Sequence, residues 1–148
     1  MSIRSLPRRL TVAVGLGLAL SAAAPALSAA AEPTSVTARL TESATLIAKG
    51  GAVQIPVVYT CSPDASWGGI DLFVTERVPG LRTAEGWGST FDVICDGSEH
   101  TTAVTVPSSN GIAFHTGAAV VQGSLHACDQ DGYCTYVPLA GTVQVKKK

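Results

Sequence analysis

The stretch AVQIPVVYTC, residues 52–61, alternates apolar with more polar side chains and decides the fold class of this chain. Successive side chains of a β-strand point to opposite faces, so the pattern predicts a strand with one buried face. That face carries Val53, Ile55, Val57, Tyr59 and Cys61. Pro56 has no N–H to donate to a ladder, and we therefore predict an edge strand or a bulge at this position.

A period of two dominates the sequence from residue 35 onward. Further alternating runs lie at residues 70–75, 91–95, 102–106, 117–128 and 135–145. Turn residues (Gly, Pro, Asn, Asp and Ser) separate these runs, and only residues 81–85 have the pattern of a helical turn. We predict an all-β fold: an antiparallel two-sheet sandwich, immunoglobulin-like, with about seven strands and two disulfides.

Residues 1–31 have the features of a secretory signal peptide. Its positive charges are Arg4, Arg8 and Arg9. An apolar run over residues 10–24 follows, and small residues after Pro25 predict cleavage behind Ala30 or Ala31. The apolar run is shorter than the ~20 residues that a membrane-spanning helix needs. Export by the twin-arginine route, suggested by the paired arginines, is the alternative to the ordinary secretory route.

Residues 32–148 have the length of a single domain and end in a short basic tail, Lys146-Lys147-Lys148. Without the signal, seven basic and eleven acidic residues remain, a formal charge of −4 that argues against a nucleic-acid partner. No later apolar segment predicts a membrane span. We expect an extracellular protein, either free or held non-covalently at the cell wall. The tail either contacts anionic wall polymers or is a solvated end.

The four cysteines of an exported chain predict two disulfides, for which three connectivities exist. Cys128 and Cys134 flank a turn signal, Asp131-Gly132, which brings the two sulfurs together locally. Cys61 and Cys95 then form the remaining pair. Zinc is the competing interpretation, but the spacings match no familiar zinc pattern, and we predict no metal site.

The sequence contains no motif that is specific for catalysis. Gly86-Trp87-Gly88-Ser89 is not the Gly-x-Ser-x-Gly elbow of a serine hydrolase, and both predicted disulfides leave no cysteine as a nucleophile. Asp92, Asp96 and Glu99 are close in sequence, but Asp96-Gly97 indicates a turn and Glu99 a solvated surface position. We therefore predict a protein without catalytic activity or a cofactor.

The histidines and the last acidic cluster favour structural roles. His100 follows the Asp96-Gly97 turn and is expected to pack on it or bond to it. His115 and His126 would form a metal pair only in a favourable strand register. The segment Asp129-Gln130-Asp131-Gly132 resembles the opening of a calcium loop but lacks the closing glutamate, so a disulfide-closed turn is favoured.

Two tryptophans are the candidate ligand-binding residues. Trp67 precedes Gly68-Gly69 and Trp87 lies between two glycines, both in predicted connecting segments. An exposed aromatic side chain on a loop can stack on a sugar or anchor a protein partner; the alternative is a lid over one end of the core. We predict a non-catalytic binding module for an extracellular glycan, small molecule or protein. Two alternatives are a secreted protease inhibitor, with residues 78–89 as its exposed loop, and a small glycan-active enzyme.

Three stretches carry a resemblance to a known group of proteins: Tyr59-Thr60-Cys61, the turn Cys95-Asp96-Gly97-Ser98-Glu99-His100, and residues 114–120. Over about residues 35–145 the chain resembles an uncharacterised family of small secreted actinobacterial domains of unknown function. This resemblance implies export, a β fold and the Cys61–Cys95 bridge. The chain is less similar to the neocarzinostatin-type apoproteins, which are secreted two-disulfide sandwiches whose first disulfide closes a shorter loop.

Overall fold

The structure of the protein is a computed structural model that describes residues 35–148. The predicted signal, residues 1–31, lies outside the described residues. The eight strands are β1 Val36–Leu40, β2 Ser43–Ile47, β3 Ala52–Cys61, β4 Trp67–Val78, β5 Arg82–Thr90, β6 Glu99–Pro107, β7 Gly117–Cys128 and β8 Cys134–Lys147. Apart from a 3-10 turn at Ala48–Gly50, this part of the chain contains no helix, which confirms the all-β class. None of its elements is an apolar helix of membrane-spanning length.

The strands form one hydrogen-bonded sheet: β3 pairs with β1 and β2 along one edge and with β6 along the other, and β2, β8, β7, β4 and β5 then pair in succession. All pairs are antiparallel except β2 with β8, which are parallel. The prediction of purely antiparallel pairing was wrong at this one pair. One edge of β2 pairs with β3 in the antiparallel sense. The other edge of β2 pairs with β8, which runs in the same direction as β2.

The strand that contains Pro56 is neither at an edge nor bulged, contrary to the prediction. Along one side of β3, β6 pairs continuously from Ala52 to Thr60. Along the other side, β1 and β2 pair with different halves of β3. Pro56 lies at the break between these halves, where its carbonyl accepts the Thr41 N–H (3.3 Å). N–H and C=O of a residue in an antiparallel strand point to the same side, so the missing N–H of Pro56 faces this break and removes no ladder bond.

Two further local predictions were wrong. Residues 91–95 belong to no strand, and the Val93 N–H donates to the Phe91 carbonyl oxygen (2.9 Å), a local turn in place of a ladder bond. This segment is held instead by the Ile94 N–H, which donates to Tyr59 Oη (2.9 Å), and by a disulfide at Cys95. Residues 81–85 form no helical turn, because positive φ angles at Gly80 (83°) and Leu81 (58°) turn the chain directly from β4 into β5.

The predicted disulfide pairs are confirmed. Cys61 bonds to Cys95 and Cys128 bonds to Cys134, with Cα–Cα distances of 4.5 Å and 4.0 Å. The second bridge closes the hairpin of β7 and β8 at its last residue pair. In the turn between them, Asp129 Oδ1 accepts two backbone N–H groups, at 2.9 Å each. The carboxylate that resembled a calcium ligand is thus engaged by its own turn.

The alternation of β3 produces the core as predicted. Its five inward residues are each at most 2% exposed. Alternate residues of β4, β6 and β7 complete the same cluster, and the largest of the fully buried side chains is that of Phe114, which lies between β6 and β7 in sequence. The outward residues of β4 and β7 are consequently presented to solvent, and they form the candidate site.

Candidate binding face

Trp67 and Trp87 both lie on strands, so the prediction that they occupy connecting segments was wrong. Trp67 is the first residue of β4 and Trp87 is in the middle of β5. The two side chains are 49% and 57% exposed, so about half of each indole is open to solvent.

The glycines around Trp87 have a packing role. A Cβ on Gly86 would lie 2.3 Å from the Pro107 carbonyl oxygen, and a Cβ on Gly88 would lie 2.2 Å from that of Thr105. The absence of side chains therefore lets β5 approach the backbone of β6. Because strand residues alternate in direction, Trp87 points away from β6 and into solvent.

The strand register places both tryptophans on one face of the sheet. Trp87 is directly paired with Phe73 of β4, and directly paired residues of antiparallel strands project to the same side. Trp67 and Phe73 are both outward residues of β4. At about 3.3 Å per residue, they lie roughly 20 Å apart along the strand.

A cluster of rings surrounds Trp67. Its indole meets the His126 ring edge-on, with centroids 5.4 Å apart, and His126 is 5.9 Å from the Tyr136 ring. The His126 ring fits over Gly69, where a Cβ would lie 2.8 Å from its Nε2 and 3.0 Å from Cδ1 of Phe91. Gly69 thus allows two rings to lie against the backbone of β4.

Polar groups lie between the two aromatic ends. Asp71 is an outward residue of β4, and its Oδ2 is 3.6 Å from His126 Nδ1. On β7, Ser124 is paired with Asp71 and Gln122 with Phe73. We call the surface formed by the following six rings the aromatic face: Trp67, Phe73, Trp87, Phe91, His126 and Tyr136.

Four members of the aromatic face were missed in the sequence. Phe73 carried a signal, because it is a large aromatic residue on the polar side of an alternating strand. Phe91, His126 and Tyr136 reach the face through pairings and contacts between segments that are distant in sequence, and no local pattern identifies them.

The acidic group near the first disulfide is engaged in local contacts. His100 Nε2 lies 2.8 Å from Asp96 Oδ1, which confirms that His100 bonds to its turn. This bond, together with the Ser98 N–H, holds the pKa of Asp96 below its usual range. Glu99 forms an exposed ion pair with Arg39 (3.4 Å). With its pKa lowered, the Asp96 carboxyl is poorly suited to act as a general acid near neutral pH.

The structure does not bring His115 and His126 into a common site. His126 belongs to the aromatic face, whereas the His115 ring contacts the Ala113 carbonyl oxygen (3.0 Å). Within residues 35–148, no group of three or more His, Cys, Asp or Glu side chains is arranged to hold a metal ion.

The segment proposed as an inhibitor loop is a β-hairpin. Residues 82–89 belong to β5 and pair with β4, so only the turn at residues 79–81 is without strand pairing. Leu81 at its tip is 86% exposed.

Among the described residues, Glu76 is the only buried charged side chain, with 3% of its surface exposed. It points inward from β4, and its Oε2 accepts the His115 N–H (2.8 Å). Burial raises the pKa of this carboxyl above its ordinary value of 4.5, although the hydrogen bond from His115 opposes the change. The ionisation of this carboxyl therefore affects the stability of the fold.

We expect Glu76→Gln to change the pH dependence of stability. Because the pKa of Glu76 is higher in the folded than in the unfolded protein, its stabilising contribution is present below pH ~4.5 and is lost as pH rises through the folded value. The variant lacks this loss and should gain stability relative to the wild type towards neutral pH. Urea denaturation from pH 3.5 to 7.5 measures this, with exposed Glu42→Gln as the control. Parallel pH profiles for wild type and Glu76→Gln would contradict it.

Comparison with protein-family models finds no matching family, and comparison with curated proteins finds no matching relative. Among solved structures, the chain is similar to the crystal structure of the "Putative ApaA Protein from Bordetella pertussis". The TM-score is 0.46 and the identity 15%, covering 77% of this chain and 96% of that chain. A likeness at this level assigns neither a fold family nor an activity.

Proposed function

We propose that the protein is a secreted, non-catalytic binding module whose aromatic face holds an extracellular polysaccharide. The observation that carries this proposal is the alignment of Trp67, Phe73 and Trp87 on one outward surface of the sheet. Aromatic side chains that remain exposed in a folded domain commonly mark an interaction surface.

The shape of the face favours a polymer. Its two aromatic ends are separated by roughly 20 Å along β4, which is longer than a compact small molecule needs. Asp71 and Ser124 lie between the ends, Gln122 lies beside Phe73, and all three offer hydrogen-bonding groups. Stacking on rings at both ends, with hydrogen bonds between them, suits an extended chain of sugars, which has apolar ring faces and hydroxyl edges.

The proposal includes a two-sheet, immunoglobulin-like sandwich as the scaffold. Its support is the pairing pattern: β1, β2 and β6 pair with β3, while β8, β7, β4 and β5 pair in succession. Within residues 35–148, the short parallel pair of β2 and β8 is the one ladder between these two sets, and an isolated bridge between Gly86 and Ser108 also joins β5 to the residue after β6. The assignment to the uncharacterised actinobacterial family belongs to the same proposal.

Secretion rests on the sequence of residues 1–31 and on the disulfides. Two bridges involve all four cysteines of the chain, as expected for an oxidising compartment. The predicted signal supplies the route of export.

Affinity electrophoresis in gels that contain peptidoglycan fragments, xylan, β-glucan or soluble chitin tests the function. We expect retardation in at least one gel, and a loss of about tenfold in affinity for Trp67→Ala and for Trp87→Ala, because each removes one stacking surface. Arg77→Ala, an exposed outward change on the same strand, is the matched control.

Two results would contradict the proposal. One is unretarded migration in every polysaccharide gel. The other is equal retardation of the wild type and of both tryptophan variants, provided that circular dichroism shows all of them to be folded.

A further inference from the structure

A cavity separate from the aromatic face lies at the end of the parallel pair of β2 and β8. It has a volume of about 600 Å³, within the range of small-molecule sites. Its walls come from the end of β2, the 3-10 turn, residues 113–116 and the end of β8. We call it the basic cavity.

The basic cavity concentrates positive charge on a predominantly acidic protein. Lys49, Lys147 and Lys148 line it, and none of the lining side chains is acidic; the α-carboxylate of Lys148 is the one opposing charge in this lining. Ion pairs identified among residues 35–148 involve none of these three lysines. Placing like charges around one opening is unfavourable in the free protein, and an anion would remove the repulsion.

The backbone holds Lys49 at the wall at an energetic cost. Ala48, Lys49 and Gly50 have consecutive positive φ angles of 50°, 54° and 90°. This left-handed region is unfavourable for Ala and Lys. Glycine or asparagine adopts a positive φ at a lower energetic cost than lysine does. The shape of the turn therefore does not explain why residue 49 is a lysine. Strain of this kind persists most often where it positions a functional group.

Surrounding contacts maintain this conformation. The Gly51 N–H donates to the Ala48 carbonyl oxygen (3.0 Å), and the Phe114 N–H donates to the Gly50 carbonyl oxygen (2.8 Å). A Cβ on Gly50 would lie only 2.4 Å from the Phe114 carbonyl oxygen, so this glycine also permits the close approach of the two segments. The cavity wall is therefore built from mutually braced segments.

Part of the wall is apolar. Leu46 and Ile47 contribute partly exposed side chains to it, and Leu46 is the direct strand partner of Lys147. A ligand that matches both parts carries an anionic group towards the lysines and an apolar chain towards these side chains. We propose that the basic cavity binds an amphiphilic anion, namely a phosphate monoester or carboxylate that bears an alkyl chain.

Calorimetric titration with octyl phosphate, octanoate and octanol tests this site. We expect the two anions to bind saturably and octanol to bind at least tenfold more weakly, since it lacks the charge. Lys49→Asn and Lys147→Gln should each weaken octyl phosphate binding about fivefold to tenfold. Asparagine tolerates the left-handed backbone, so the first variant is expected to fold.

Lys146→Gln is the matched control, because it makes the same charge change in the same strand but at a residue that does not line the cavity. Absence of octyl phosphate binding up to about 1 mM would overturn the proposal. Equal weakening by Lys146→Gln and Lys147→Gln would also overturn it, as would octanol binding as tightly as octyl phosphate. Trp67→Ala should bind octyl phosphate like the wild type, so this result is independent of polysaccharide binding.

Discussion

Replacing Cys61 and Cys95 together with alanine is expected to lower the free energy of unfolding by about 4 kcal/mol. The bridge joins residues separated by 34 positions, and a loop of this length has considerable conformational entropy in the unfolded chain once the bond is absent. The native protein also loses the covalent anchor of residues 91–95, which join no strand and rely on single contacts. Equilibrium denaturation followed by tryptophan fluorescence measures the difference.

The second bridge supplies the internal comparison. Cys128 and Cys134 are separated by six positions and already face each other as the last pair of a hairpin. Their replacement with alanine should lower the free energy of unfolding by only about 2 kcal/mol. Equal losses for the two double variants would contradict the role of loop length in this protein.

Gly88→Ala is expected to destabilise the protein by about 3 kcal/mol and to disturb the aromatic face. The new methyl group would lie 2.2 Å from the Thr105 carbonyl oxygen, which is backbone of a paired strand and cannot rotate away. Either β5 must move outward or β6 must distort. Since β5 carries Trp87 opposite Phe73, a displaced β5 would also weaken polysaccharide binding.

Ser89→Ala provides the control for this prediction, because Ser89 is the next residue of β5 and is exposed. We expect it to change the free energy of unfolding by less than about 0.5 kcal/mol. A Gly88→Ala variant as stable as Ser89→Ala would show that β5 and β6 are not packed as closely as the structure indicates.

Much of the candidate site depended on contacts that cross the sequence. Trp67 and Trp87 were identified from their type and their glycine neighbours, but the reason for those glycines was misjudged. A glycine in a loop and a glycine under a closely packed strand have the same local sequence context. The distinction at Gly88 requires knowledge of where Thr105 lies, and the distinction at Gly69 requires the positions of His126 and Phe91.

Local chemistry alone was sufficient for the all-β class, for the inward face of β3 and for both disulfide pairs. The class and the inward face follow from alternation along a strand, the Cys128–Cys134 pair follows from the turn between two neighbouring cysteines, and Cys61–Cys95 is the pair that then remains. The central place of the Pro56 strand, the parallel pairing of β2 with β8 and the alignment of the aromatic face arose only on folding. Pairing and register are choices between segments, and each segment presents similar unpaired N–H and C=O groups until the packed core selects its partners.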